Sequence, residues 1–258
     1  DSTVYRSTDN GSTWTETATG LPAGRVITDF DGSINGSGSL LYVTAETQAR
    51  IDLGFRNLYR STDTGVSWTR CGNTGLFANA SIPVAFAWLA VSPASPTVLY
   101  ATVTGGDSAQ SAYPHGPSVY RSADSGSTWT PVLFQDAADP RYNIANTSWL
   151  KGQWGWTYPP SGIAVDAANP AIVFTTTISS AFLSHDGGKI WREVHAPEGT
   201  KDRQPSGGMM VTSAWSYAIH PKDPSCRYIA LTDYSGWRST DGGATWANMT
   251  AAVGLDSS

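Results

Sequence analysis

The sequence predicts an all-β fold built from repeated four-stranded antiparallel blades, and three observations carry that prediction. First, one motif recurs five times in 258 residues: STDNGSTW (7–14), STDTGVSW (61–68), SADSGSTW (122–129), SHDGGKIW (184–191) and STDGGATW (239–246), all of the form S-x-D-x-G-x-x-W. Internal repetition at a fixed period marks solenoid and propeller architectures. Second, the motif aspartates Asp9, Asp63, Asp124, Asp186 and Asp241 stand 54, 61, 62 and 55 residues apart, the length of a four-stranded propeller blade with generous loops. Third, 40% of the chain is apolar, only 14% is charged, and 26 Gly, 11 Trp and 11 Tyr are present. That composition suits short strands, tight turns and aromatic packing rather than disorder. The predicted architecture is a β-propeller.

Between the motifs lies a second repeat, an apolar strand, a Pro-containing turn and another strand: 87–103 (AWLAVSPASPTVLYATV), 161–177 (SGIAVDAANPAIVFTTT) and 216–232 (SYAIHPKDPSCRYIALT). Residues 26–45 repeat it with a Gly-Ser turn. Each blade therefore reads as strands a and b, then c, the motif, and d. Strands c and d occur five times but complete a–b pairs only four, because VYRSTDNGSTW opens the chain. The expectation is about five blades with the first incomplete, in a single propeller domain, 1–258, that is part of a longer propeller protein or needs a partner segment. The alternative is a compact five-bladed ring with a thin first blade.

The motif has a structural rationale. A hairpin turn leaves backbone N–H groups without ladder partners; the Ser hydroxyl and Asp carboxylate can accept them, and Gly supplies a positive φ. The Trp then starts strand d and packs inward. At roughly 150–250 Å² per aromatic side chain and roughly 25 cal/mol per Å², each buried Trp contributes up to ~4–6 kcal/mol as an upper bound.

The motif resembles the Asp-box of sialidases, glycoside hydrolase family 74 xyloglucanases, sortilin-type receptors and photosystem assembly propellers. The resemblance spans the whole chain at fold level and does not choose among those functions.

Composition narrows the partners. A net charge of -5 disfavours nucleic acid, which needs clustered Lys and Arg, and Lys occurs only at 151, 189, 201 and 222. No run of 18 apolar residues is present, so no helical membrane span is expected. The terminus DSTVYRS is not a signal peptide, although a secreted precursor would have lost one. Sequons begin at Asn10, Asn35, Asn79, Asn146 and Asn248, weak support for a secreted or extracellular/periplasmic location. Cys71 and Cys226 lie three blades apart and are expected not to pair. His115, His185, His195 and His220 show no ligand spacing, so neither metal nor cofactor is expected.

In a four-stranded blade the a–b and c–d turns share one face and the b–c and d–a loops the other. Asp9, Asp63, Asp124, Asp186 and Asp241 therefore sit away from the loop face and are read as structural, not catalytic. The loop face carries every long insertion: 46–56, 71–85, 105–117, 134–160 and 195–213. The 134–160 insertion holds Tyr142, Trp149, Trp154, Trp156 and Tyr158, candidate platforms for the C–H faces of sugar rings; the competing reading is that they fold the loop onto its blade. The 195–212 loop adds His195, Glu198, Lys201, Asp202 and Arg203, with Gly207–Gly208 as a hinge or simply as part of a solvated loop.

Glycoside cleavage needs two carboxyl groups flanking the bond. Asp233 is the leading candidate, since IALTDYSGWRSTDGG places it at the end of strand b, at a short b–c turn aimed toward the axis. The segment resembles the T-D-x-G-G-x-x-R-S-x-D-G-G stretch of family 74 xyloglucanases, whose Asp at that place is a catalytic carboxylate. Here Ser235 replaces the first Gly, and one residue fewer precedes Arg238. Asp136, Asp139 and Asp202, with Asp107, are candidate partners. A sialidase would need three converging Arg side chains; Arg6, Arg60, Arg121 and Arg238 occupy one repeat position and read as structural, which ranks sialidase-like exo-glycosidase activity below glucan hydrolysis. The leading expectation is a secreted glycoside hydrolase acting on a β-glucan or xyloglucan-like polysaccharide. The alternative is a non-catalytic propeller that binds glycan or protein on the same face.

Overall fold

The structure, a computed structural model, describes residues 3–35, 38–47, 57–76, 85–104, 118–137, 139–145, 160–177, 180–194, 204–205, 214–231 and 235–249. Two compact units divide the chain, Asp1–Ile144 with Thr157–Ile178 and Leu183–Trp191 in the first, and Ala145–Trp156 with Ser179–Phe182 and Arg192–Ser258 in the second. Every element named below is a strand.

The blades follow the predicted order. Blade 1 is a two-stranded sheet, β1 (Tyr5–Arg6) and β2 (Thr15–Glu16). Blade 2 comprises β3 (Arg25–Asn35), β4 (Gly38–Thr47), β5 (Leu58–Ser61) and β6 (Thr69–Arg70); blade 3 comprises β7 (Ala85–Val91), β8 (Leu99–Thr104), β9 (Val119–Ser122) and β10 (Thr130–Leu133). Blade 4 is β11 (Gly162–Val165), β12 (Val173–Thr176), β13 (Ala181–Ser184) and β14 (Arg192–Glu193). In the second unit, β16 (Ala214–His220), β17 (Asp223–Leu231), β18 (Ser235–Ser239) and β19 (Thr245–Asn248) form blade 5, and β15 (Gln204–Pro205) adds a fifth strand against β19. The sequence treated 195–213 wholly as a loop; Gln204↔Trp246 and Pro205↔Thr245 pairing makes part of it a sheet edge instead.

All five boxes close as expected. The Ser7, Ser61, Ser122, Ser184 and Ser239 hydroxyls accept the N–H of the Gly four residues on, at 2.8–2.9 Å. The aspartate then accepts the N–H four residues beyond itself, as in Thr13 to Asp9 and Thr128 to Asp124, both 2.8 Å. One feature escaped the sequence reading. The residue before the box glycine also has positive φ: Asn10 55°, Thr64 60° and Ser125 61°. Boxes 4 and 5 place Gly187 and Gly242 there, which removes the steric cost that a side chain meets in this region.

The box turn is tied to the a–b turn of its own blade. Ser125 N–H donates to Thr97 O, Gly187 N–H to Ala171 O and Gly242 N–H to Ser225 O, each 2.9 Å; in blade 2, Thr64 N–H donates to the Ser39 hydroxyl at 2.8 Å. The two turns therefore share one end of each of these blades.

Within the first unit, each blade is stitched to the one before it. Trp68, Trp129 and Trp191 donate their backbone N–H to Thr19 O, Thr74 O and Asn143 O, each at 2.9 Å. Their indole Nε1–H groups reach Thr17 O, Gly72 O and Val132 O. Two tyrosines on b strands add to this, Tyr42 OH donating to Pro96 O and Tyr100 OH to Pro170 O. The Arg60 guanidinium donates to Ser125 O at 2.8 Å, the structural role expected for that repeat position. Apolar packing fills the same seams. Tyr42 and Leu58 of blade 2 meet Phe86, Leu89, Leu99, Tyr120 and Trp129 of blade 3, all buried.

Box 1 departs from the expectation that every box Trp packs inward. Trp14 is 61% exposed, against 3% for Trp68, 4% for Trp129 and 0% for Trp191. Its indole N–H turns back to Gly11 O. Trp246 is buried yet makes the same local bond, to Gly243 O.

Candidate functional site

The end of the blades opposite the boxes is where the b–c and d–a connections run, and function borne on a rigid scaffold collects in such loops. Of the residues singled out from sequence, Asp233, Asp202, Asp107, Trp149, Trp154, Trp156 and Tyr158 lie outside the described residues. The strands that flank Asp233 are described: β17 ends at Leu231, β18 begins at Ser235, and these two residues pair. Asp233 thus belongs to the three-residue connection between strands b and c of blade 5.

Asp136, Asp139 and Tyr142 lie together just past β10. Asp139 N–H donates to Asp136 O and Tyr142 N–H to Asp139 O, at 3.0 and 2.9 Å, so the three belong to consecutive turns. The buried Asp139 carboxylate accepts both Nε and the backbone N–H of Arg141 at 2.8 Å, and its other oxygen pairs with an Arg141 terminal nitrogen at 2.6 Å. Donating to the Asp139 carboxylate pushes the guanidinium pKa up, and the same guanidinium lies 4.4 Å from the Phe134 ring centroid. Planar bidentate pairing of this kind is strong and geometrically specific. It commits Asp139 to holding the start of the insertion.

Asn143 completes that anchor. Its side-chain oxygen accepts Phe134 N–H, and its amide donates to Val132 O at 2.7 Å and to Gly188 O at 3.1 Å. Tyr142 is half-buried beside it. Residues 134–143, the start of the insertion, are therefore tied to blades 3 and 4 through Asp139, Arg141 and Asn143; four of the five aromatics named from sequence lie outside the described residues.

Four box carboxylates, Asp9, Asp63, Asp124 and Asp186, are held below the usual carboxylate range by their turn hydrogen bonds. The Thr13 hydroxyl, Thr13 N–H and Ser7 hydroxyl bring Asp9 down to about 2, and the Ser67 hydroxyl, Ser67 N–H and Ser61 hydroxyl hold Asp63 lower still. A general acid must keep its proton near neutral pH, so these groups are unsuited to that role.

Several residues of functional interest were not legible in sequence. Asp29 and Asp31 on β3 use one oxygen each to accept Leu89 N–H and Val91 N–H of β7, both at 2.6 Å. They clamp the inner strands of blades 2 and 3, and burial raises the Asp31 pKa. Asn57 does the same at the start of strand c, exchanging two bonds with the Phe86 backbone. Trp88 sits on β7 beside a register shift between Phe86 and Leu89 and is 41% exposed; bulges re-aim side chains in this way. Glu193, on the last strand of blade 4, is a buried acid that accepts the Ser180 hydroxyl at 2.7 Å. The D-x-D pair in 26–45 was the one available signal for the clamp.

Cys71 and Cys226 are free thiols, and burial pushes Cys71 up to about 12. Among the described residues no group of three His, Cys, Asp or Glu is placed to hold a metal ion. Among the described residues no helix is long and apolar enough to cross a membrane.

No family model matches the chain. A xyloglucanase from a Paenibacillus species is 26% identical over 262 residues, an alignment that covers 78% of this chain and 24% of the relative. Among solved structures, the GH74 xyloglucanase from Xanthomonas campestris superposes with a TM-score of 0.52 at 15% identity, over 94% of this chain and 39% of that one. The GH74 enzyme of Niastella koreensis gives 0.51 at 20% identity, over 94% and 38%. The chain thus spans about a quarter of its curated relative and under two-fifths of these structures. In fold, the chain is a run of Asp-box β-propeller blades of the GH74 kind.

Proposed function

We propose that this chain is part of a secreted glycoside hydrolase that cuts a β-glucan of the xyloglucan type, with the polysaccharide lying across the loop end of the blades. The observation that carries the reading is the 26% identity to a xyloglucanase along 78% of the chain. In this reading Asp233 acts as one of the two carboxyl groups flanking the scissile bond. The Trp and Tyr residues of 134–160 stack on sugar rings, and Asp136 or Asp202 is the second carboxyl group. Asp139 is the least suited of the candidates, because the Arg141 fork already engages both its oxygens.

Release of reducing ends from xyloglucan by the full-length protein tests this. Asp233→Ala is expected to lower the rate on the order of 10²–10⁴-fold, the usual worth of a positioned acid or base. Unchanged hydrolysis by that variant overturns the role of Asp233. Retention on xyloglucan without any release of reducing ends, lost in Trp154→Ala or Trp156→Ala, would support the binding-only alternative instead. Under either reading Asn143 ties the start of the 134–160 insertion to the blades.

A further inference from the structure

The seam between blades 2 and 3 carries a clamp that the seam between blades 3 and 4 replaces with an aromatic side chain. β11 lies against β7 as β7 lies against β3. In the first of these seams the Leu89 and Val91 N–H groups point out of their own sheet and are taken by Asp29 and Asp31, at 2.6 Å each. Register gives the residues that stand in the same places one blade on. Phe30 pairs with Val43 and Val43 with Tyr59, as Leu89 pairs with Ala101 and Ala101 with Tyr120. Trp88 and Ala90 therefore occupy the positions of Asp29 and Asp31, and neither side chain can accept a hydrogen bond.

The donors that the clamp would serve are still there. Ser92 N–H donates to Val98 O and Asp166 N–H to Ile172 O, so Ile163 and Val165 of β11 stand where Leu89 and Val91 stand on β7. Strand alternation turns their N–H groups out of the β11–β12 ladder. Among the described residues neither N–H has an acceptor in blade 3. Trp88 is presented beside them on a fixed backbone: its own N–H donates to the Thr102 hydroxyl at 3.1 Å, Leu89 N–H is held by Asp29, and Asn57 exchanges two bonds with the Phe86 backbone. Phe86, Leu89 and Val91 pack with Tyr42 and Leu58 of blade 2. Trp88, next to Leu89, points to the opposite side, that of blade 4, and is 41% exposed.

We propose that Trp88 and the Ile163 and Val165 N–H groups form a saccharide-binding notch at the seam of blades 3 and 4, in which a pyranose lays its C–H face on the indole and its oxygens accept the two N–H groups. The neighbouring seam shows what belongs opposite such donors, since Asp29 and Asp31 place an oxygen on each. Donors two residues apart on a strand are about 7 Å from one another, too far for the two oxygens of a single carboxylate. The oxygens around the rim of a sugar ring span that distance, and an aromatic face with a few placed polar groups is the usual composition of a small-ligand site. The notch itself follows from the seam. The choice of a neutral β-glucan to fill it rests on the activity proposed above.

The test is an NMR titration of the isotope-labelled 258-residue chain with xyloglucan heptasaccharide, with cellohexaose and, as a charged comparison, with a galacturonic acid hexamer. Both glucans are expected to give saturable shifts of the Ile163 and Val165 amides and of the Trp88 indole N–H. Trp88→Ala is expected to weaken binding about tenfold, with most of the loss restored in Trp88→Tyr. Ile163→Pro removes a donor that lies outside the ladder, where strands tolerate Pro, and is expected to weaken binding about threefold; if it does not fold, the Trp88 pair and the parent amide shifts decide. Absence of saturable shifts at all three groups with millimolar glucan overturns the proposal, even in a protein that hydrolyses xyloglucan. Saturation of all three in a protein that releases no reducing ends upholds the notch and counts against the hydrolase reading alone. Shifts confined to the indole overturn the two-donor notch, and tighter binding of the galacturonic acid hexamer overturns the neutral ligand.

Discussion

Blades 1 and 3 share the tetrapeptide Val-Tyr-Arg-Ser and nearly the same box, Ser7–Trp14 and Ser122–Trp129, yet the two differ in what surrounds them. In blade 3 the box Trp is buried against Phe86, with ring centroids 4.6 Å apart, and donates to the preceding blade. In blade 1 it lies open and bonds to its own turn. The hairpin itself is unaltered: Ser7 and Ser122 each accept the same glycine N–H, and Asp9 and Asp124 each accept the same threonine. Turn geometry is therefore local chemistry. Burial of the aromatic is supplied by neighbours.

The largest test of that separation is truncation of the aromatic. Trp129→Ala is expected to cost about 3–5 kcal/mol in urea unfolding, as for other buried Trp positions, and Trp14→Ala less than about 1 kcal/mol. Equal losses would mean that Trp14 is covered in solution. Next in size, Ser61→Ala leaves the buried Gly65 N–H without its acceptor and is expected to cost about 1–3 kcal/mol; Ser7→Ala, where water reaches the turn, should cost less in the same assay. Smaller again, Thr64→Gly relieves a β-branched residue at φ 60°. It is expected to raise stability by up to about 1 kcal/mol, measured as a higher urea midpoint.

The smallest effect is electrostatic. The folded-state pKa of Asp9, about 2, lies below its ordinary value of 3.8, so the unfolded chain binds more protons between these values. The stabilisation is present above about pH 4 and fades as pH falls toward 2. Carboxyl-carbon NMR should place Asp9 near 2 and Asp63 lower, and Thr13→Val should move Asp9 upward without moving Asp63.

The sequence carried the blade order because its signals are local. A box needs Ser, Asp and Gly at fixed offsets, and a strand pair needs alternating apolar residues about a Pro turn. The deficit of strands in blade 1 followed from the same pattern. Seams between blades were harder to read. Thr19, Thr74 and Asn143 accept Trp N–H groups through backbone oxygens, which any residue supplies, so composition leaves no trace of them. The second positive φ in each box was hidden because Asn10, Thr64 and Ser125 are chemically unlike one another. Trp88 reads as one more apolar residue in AFAWLAV, and only the register shift beside it gives it an exposed face. At the candidate site, Asp139 was legible as an acid, but its pairing with Arg141 two residues later was not foreseen.

The stitch from each box Trp to the connection behind the preceding blade has a bearing on how such chains change length. Within the first unit it joins consecutive blades, through a backbone oxygen in the connection past strand d and a Trp N–H just before the next strand d. A stretch running from one such connection to the next carries one acceptor and one donor, whatever its sequence. Duplicating or deleting one full repeat conserves every seam, because such a stretch, wherever it is cut, carries one carbonyl and one Trp N–H of this kind. A run of such blades can therefore change length by whole repeats without orphaning a seam, as nearest-neighbour coupling in repeat proteins allows.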